Sequence, residues 1–140
     1  IDLFPSSAPM AVNSFVFLAR QGWFDGSIFH RVLPGNLAET GDPSGTGLGG
    51  PGYFFATELD PALTFGEAGV VALSSAGMGT NGSQFFISLA PLPQFDGTRT
   101  IFGEVVSGLE ILQGLGRRDP LLDLLNPPGA TILSVTIEEG

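Results

Sequence analysis

The sequence predicts a mainly β fold with two helices, on three observations. Glycine and proline are dense, 21 and 11 among 140 residues, which demands many turns and short elements. Several short runs are β-branched or aromatic and bounded by Gly or Pro, as strands are. Only two segments carry apolar residues at helical spacing. Hydrophobic residues make up 43% of the chain, enough for a core and too many for a disordered segment. Length, with no linker and no internal repeat, predicts a single domain over 1–140.

In chain order, Asp2-Leu3-Phe4 reads as part of a strand ended by Pro5-Ser6-Ser7. A start at Ile1 inside such a strand predicts that any targeting segment lies upstream. Pro9 suits the first turn of a helix, where its missing N–H costs nothing. Val12, Phe15, Val16 and Ala19 recur at the spacing of one helix face, and Gly22 closes that helix. Ile28 to Leu33 reads as a strand stopped by Pro34-Gly35, and Leu37 to Thr40 as another short one. Asp42 to Gly52 is a Gly/Pro loop leading to the apolar Tyr53-Phe54-Phe55. Val70 to Leu73, Phe85 to Leu89 and Ile101 to Val106 are strands by composition and boundaries. Leu109, Ile111, Leu112 and Leu115 predict a second short helix, with Arg117-Arg118 near its negative end. Ile132 to Ile137 alternates apolar and small polar residues and reads as the last strand.

Composition removes whole chemistries. Without Cys there is no disulfide framework, zinc ribbon or thiol nucleophile. All five basic residues are Arg, so neither a Schiff-base lysine nor a phosphate-loop lysine is available. A single His excludes a multi-histidine metal site, and no metal or cofactor is expected. The net charge of −9 argues against nucleic-acid or anionic-membrane partners. The uncharged stretch from Ala68 to Phe95 is too often interrupted by Gly, Ser, Asn, Gln and Pro to span a membrane.

Five local patterns read better as structure than as sites. Gly45-Thr46-Gly47-Leu48-Gly49-Gly50 has the spacing of a dinucleotide fingerprint, but Pro51-Gly52 follows where a helix must open. Asn81-Gly82-Ser83 is a glycosylation sequon that runs straight into a core strand. His30 lies between Phe29 and Arg31 with no nucleophile elbow elsewhere, the setting of a structural histidine. Asp2, Glu58 and Asp60 show neither calcium-loop nor glycosidase spacing and read as solvated carboxylates. Leu121-Leu122-Asp123-Leu124-Leu125 reads as a turn-flanking apolar segment.

Three ordered segments resemble the cyclophilin family of peptidyl-prolyl isomerases. They are Phe29-His30-Arg31-Val32-Leu33-Pro34-Gly35, then Thr80-Asn81-Gly82-Ser83-Gln84-Phe85-Phe86-Ile87, then Phe95-Asp96-Gly97 with Ile101-Phe102-Gly103-Glu104-Val105. The resemblance spans essentially the whole chain, and its middle segment is highly specific. It implies a closed antiparallel eight-stranded β-barrel capped by two α-helices, with the family's first strand lying before Ile1. It also implies catalysis of rotation about Xaa-Pro amides in peptides and folding proteins. That rotation has a barrier of about 18–20 kcal/mol and breaks no bond.

By the same resemblance Arg31 is the catalytic residue, bonding the prolyl carbonyl and placing its guanidinium near the proline nitrogen. Phe86 and Phe95 match walls of the proline pocket, Leu37 replaces a Met, and Asn36 stands where the family usually has Phe. Gln84 matches a substrate-binding Gln. Glu39 takes the place of a second Gln and is expected to pair with Arg31. Ser75 replaces a substrate-binding Asn, and Ser74 occupies the adjacent position that contacts peptide backbone. Gln94 stands where many members carry Trp, which argues against tight cyclosporin binding, and Arg99 stands where they carry His. These departures predict a weakened isomerase. The alternative they favour is a non-catalytic module of the same fold that binds Pro-containing segments. The expected partners are proline-containing peptides or unfolded protein segments, met by a monomer.

Overall fold

The computed structural model describes residues 1–123 and 129–139. Six antiparallel strands form one sheet: β1 (Asp2–Leu3), β2 (Arg31–Leu33), β3 (Leu37–Thr40), β4 (Val70–Leu73), β5 (Phe85–Ser88) and β6 (Ile101–Glu104). Their spatial order is β1-β6-β4-β5-β3-β2. Two helices, α1 (Pro9–Arg20) and α2 (Leu109–Gln113), accompany the sheet, and Pro93–Phe95 form one 3-10 turn.

Strand alternation gives the sheet two apolar faces. On one face Val71, Leu73, Phe85, Ile87 and Phe102 meet Ala11, Val12, Phe15, Leu18 and Ala19 of α1. That helix starts without a side-chain cap of its own. Instead the Glu58 carboxylate, from a distant loop, accepts from the N–H groups of Met10 (3.1 Å) and Ala11 (2.8 Å). It thereby satisfies two orphan donors at the positive end of the helix. Asp60 likewise accepts from the Ser7 hydroxyl at 2.7 Å. Glu58 and Asp60 are therefore structural acceptors rather than merely solvated charges. On the opposite face Leu37, Ala72, Phe86 and Ile101 form a second cluster with Phe65 and Leu92. The predicted site residues lie on or beside this second face.

Several boundaries differ from the sequence-based expectations. The strand predicted over 28–33 shrinks to Arg31–Leu33, with Ile28 making only an isolated bridge to Thr131. The second helix ends at Gln113, closed by Gly114. Arg118 pairs with Val32 in an isolated bridge, so that arginine extends the β2 edge instead of ending a helix. The last strand, expected over 132–137, does not form. Val135 and Ile137 pack on the α1-side core, but no ladder joins them to β1. A groove of about 1040 Å³, lined in part by Asp2, Leu3, Val135 and Ile137, separates the two. The sheet is consequently open and six-stranded, not a closed eight-stranded barrel. Leu121 and Leu122 are exposed, while Leu124 and Leu125 lie outside the described residues. Among the described residues no helix is long and apolar enough to cross a membrane.

Gly41 shows how tightly the strand ends are joined. Its φ of +96° and a Ser83 carbonyl only 2.2 Å from where a Cβ would sit leave room for glycine alone. Its own carbonyl accepts from the Ser83 hydroxyl at 2.7 Å, tying β3 to the approach of β5.

Candidate active site

Residues paired directly across antiparallel strands point to the same face. The register Arg31↔Glu39, Glu39↔Phe86 and Phe86↔Ala72 therefore makes one row across β2, β3, β5 and β4. The sequence places a cation, an anion and an aromatic side by side through strand period alone. One step along the sheet, the Ser74 N–H donates to the Gln84 carbonyl at 2.9 Å, which brings those two residues to the same edge of the row.

The apolar part of the site is an aromatic trio. The centroids of Phe65, Phe86 and Phe95 lie 5.9, 5.8 and 5.6 Å apart pairwise. Such contacts add to burial when the rings are tilted or offset. Phe86 and Leu37 are nearly inaccessible, at 3% and 6% exposure, so they form a floor rather than open walls. Phe95 and Leu33 are among the partly exposed members of this cluster. The Arg99 guanidinium lies over Phe95, 5.1 Å from its centroid, within cation–π range. Phe65 was not legible in the sequence, because it sits in a loop without period. Its N–H donates to Asp96 Oδ1 at 2.7 Å, and its carbonyl accepts from Leu92 at 2.9 Å. Asn36 lies in the β2–β3 turn, its carbonyl accepting from the Leu89 N–H at 2.8 Å. Gln94 is exposed on the 3-10 turn.

The Arg31 side chain is exposed and makes no hydrogen bond or ion pair among the described residues. The expected Arg31–Glu39 pair is not formed. Glu39 instead meets His30 Nε2 at 3.0 Å and accepts from the Ser74 hydroxyl at 2.7 Å. The physical reason is local: His30 precedes β2 and turns fully inside, offering Glu39 a partner that involves no long, mobile side chain. Burial pushes the Glu39 carboxyl up, but hydrogen bonds from His30 and Ser74, with the charges of His30 and Arg31, bring it below the ordinary value of 4.5. Glu39 is thus an anion at neutral pH. Arg31 feels it across the row, not through a direct contact.

The Gly-rich loop after β3 is organised by a residue that sequence reasoning passed over. Asp42 is wholly buried and accepts from the backbone of Ser44 (2.9 Å), Gly47 (2.8 Å) and Gly49 (3.0 Å), and from the Ser44 hydroxyl. Gln84 closes the loop from the other side, its amide nitrogen donating to the carbonyls of Gly47 and Gly49, each at 2.9 Å. The fingerprint-like glycines are there for close approach: a Cβ on Gly49 would lie 2.1 Å from Asp42 Oδ1. The only available signal was an Asp two residues before a Ser, an Asx-turn pattern. Asn81, of the sequon, is buried and donates to the Phe55 carbonyl at 3.1 Å.

Burial raises the Asp42 carboxyl, and the bonds from Gly49, Ser44 and Gly47 outweigh that, leaving it below its ordinary 3.8. A depressed folded value stabilises the fold above the unfolded one. That contribution is complete above roughly pH 5 and is lost as the pH falls below 3.8 through the lower folded value. Asp42→Ala, which leaves buried N–H donors unpaired, is expected to cost about 1–3 kcal/mol in urea unfolding. Amide exchange at Gly47 and Gly49 should quicken in the same variant.

Comparison with known proteins places the chain in a family. The model of the family described as cyclophilin type peptidyl-prolyl cis-trans isomerase/CLD matches residues 1–135. The chain belongs to the cyclophilin-type peptidyl-prolyl cis-trans isomerases. It is 44% identical over 119 residues to peptidyl-prolyl cis-trans isomerase-like 1 of Gibberella zeae, covering 83% of this chain and 74% of that one. It is 42% identical over 123 residues to peptidyl-prolyl cis-trans isomerase B of Bacillus subtilis, covering 88% and 86%. Among solved structures, a cyclophilin type isomerase of Cryptosporidium parvum, crystallised in the presence of the dipeptide Ala-Pro, aligns with a TM-score of 0.79 at 37% identity. It covers 82% of this chain and 78% of that one. The protein is a peptidyl-prolyl cis-trans isomerase.

Proposed function

We propose that Arg31 carries the isomerisation and that the aromatic cluster seats the prolyl ring. The supporting observation is a single one: the exposed Arg31, whose side chain has no partner among the described residues, shares a ladder row with Phe86 of the aromatic trio. Rotation about the C–N bond uncouples the amide, so the nitrogen lone pair localises as the barrier is climbed. A guanidinium near that nitrogen, donating to the prolyl carbonyl, favours the twisted geometry over either planar one. This is electrostatic stabilisation of the transition state and needs no nucleophile, metal or proton transfer.

The ring lies on the accessible edges of Phe95 and Leu33, over Phe86 and Leu37. Asn36 contributes no apolar wall where a Phe would add roughly 1.5–3 kcal/mol of burial, so peptide binding is weak. Ser75 and Gln84 flank the bound backbone, with Gln84 acting also through the loop it holds. The ligands are proline-containing peptides or unfolded segments, taken by a single monomeric domain over residues 1–140. The charge of −9 disfavours nucleic acid.

The test is refolding of a protein whose slow phase is limited by proline isomerisation. Catalytic amounts of this chain should shorten that phase. Binding to a Pro-containing peptide without any acceleration would instead identify a non-catalytic module.

A further inference from the structure

Around Glu39, the ladder neighbour of Arg31, lies a pocket of about 430 Å³, lined by Glu39, Ser74, Ser75 and Gln84 and by the Gly47–Pro51 loop. Its floor and rim differ in chemistry. Leu48 and Phe54 stand at the rim, 89% and 74% exposed, while Glu39 is the only charged side chain in the lining. An apolar mouth over a single anion suits a side chain with a long aliphatic stem and a cationic head. We propose that this pocket takes a Lys or Arg side chain of the bound peptide, making the protein selective for Xaa-Pro bonds flanked by a basic residue.

Three features carry the assignment. Glu39 neighbours both Arg31 and Phe86 in the ladder, so a peptide crossing those residues passes the pocket mouth. A carboxylate offers about four acceptor sites. His30 and Ser74 engage one on each oxygen, which leaves acceptors for an incoming ammonium or guanidinium. Those two partners also fix the carboxylate, so little ordering is left for the ligand to impose. The pocket walls are themselves held by Asp42 and Gln84, which make its shape a property of the free protein.

This inference rests on the reading of the row as the peptide site, and its test separates the two. A peptide series around Ala-Pro carries Lys, Gln or Glu in turn at each of the three positions before the proline and the two after it. Affinity is read by chemical-shift titration, and catalysis by exchange spectroscopy. At one position Lys should be preferred over Gln by about ten-fold, with Glu weakest, as expected of a charge-assisted hydrogen bond. Raising the salt should shrink that ratio, and Glu39→Gln should bring it close to one. Ratios are taken within each variant, so a change in overall rate cancels. Equal binding of Lys, Gln and Glu at every position of the wild type would overturn the proposal, as would a preference that survives Glu39→Gln. A Lys preference in binding without any exchange would leave this assignment standing and overturn the isomerase role of the row.

Discussion

Arg31→Ala is expected to lower catalysed exchange of an Ala-Pro peptide by about 10²–10³-fold, the usual effect of removing one preorganised donor from a transition state. Stability should hardly change. The side chain is exposed and bonded to nothing among the described residues, and such surface substitutions stay within about 0.5 kcal/mol. Exchange spectroscopy paired with thermal melting reads both quantities on one sample. A large loss of activity with an unchanged melt is the signature of a group used in the reaction and not in the fold. Arg99, which packs on Phe95, is the contrast: it touches the proposed ring seat and should affect peptide affinity more than turnover.

The opposite pattern is expected at Phe85, two strands away on β5. Phe85 alternates with the site residue Phe86 and points into the other core. There its ring meets Phe15, Phe24 and Phe102 edge-on at 5.5, 5.7 and 6.0 Å. Phe85→Ala removes a buried aromatic from the junction of β5 with α1 and should cost about 3–5 kcal/mol in urea unfolding. Since domains of this size are stable by only about 5–15 kcal/mol, a large share of the total would go. Activity per folded molecule should fall too, because Gln84 and Phe86 are held by the same strand.

These two variants mark what could be read in advance. The α1 stripe and strands β3, β4 and β5 follow from local period and composition, so the shared face of Arg31, Glu39 and Phe86 was legible from alternation once the strands were located. The role proposed for Arg31 comes from the family motifs, and no spacing argument yields it. What escaped depends on contacts between distant segments. Glu39 was expected against Arg31, since both face one way on adjacent strands. His30 instead turns inward just before β2, and nothing in the order of residues signals that turn. Phe65 carries no pattern because its burial is set by Phe86 and Phe95, far along the chain. Asp42 was hidden inside a Gly-rich stretch whose order comes from side-chain-to-backbone bonds, not from any repeat. The closed barrel was an expectation of family likeness. The alternation over 132–137 was real, yet Val135 and Ile137 use it to pack on the core without a neighbouring strand.

The central claim is that Arg31 acts on the twisted amide and not on the bound ground state. One measurement addresses it directly: exchange cross-peaks of an Ala-Pro peptide in the presence of Arg31→Ala, with peptide affinity titrated in the same tube. Binding should stay within a few-fold of wild type, with exchange cross-peaks reduced to the uncatalysed level. Wild-type exchange rates in the Arg31→Ala protein would contradict that claim.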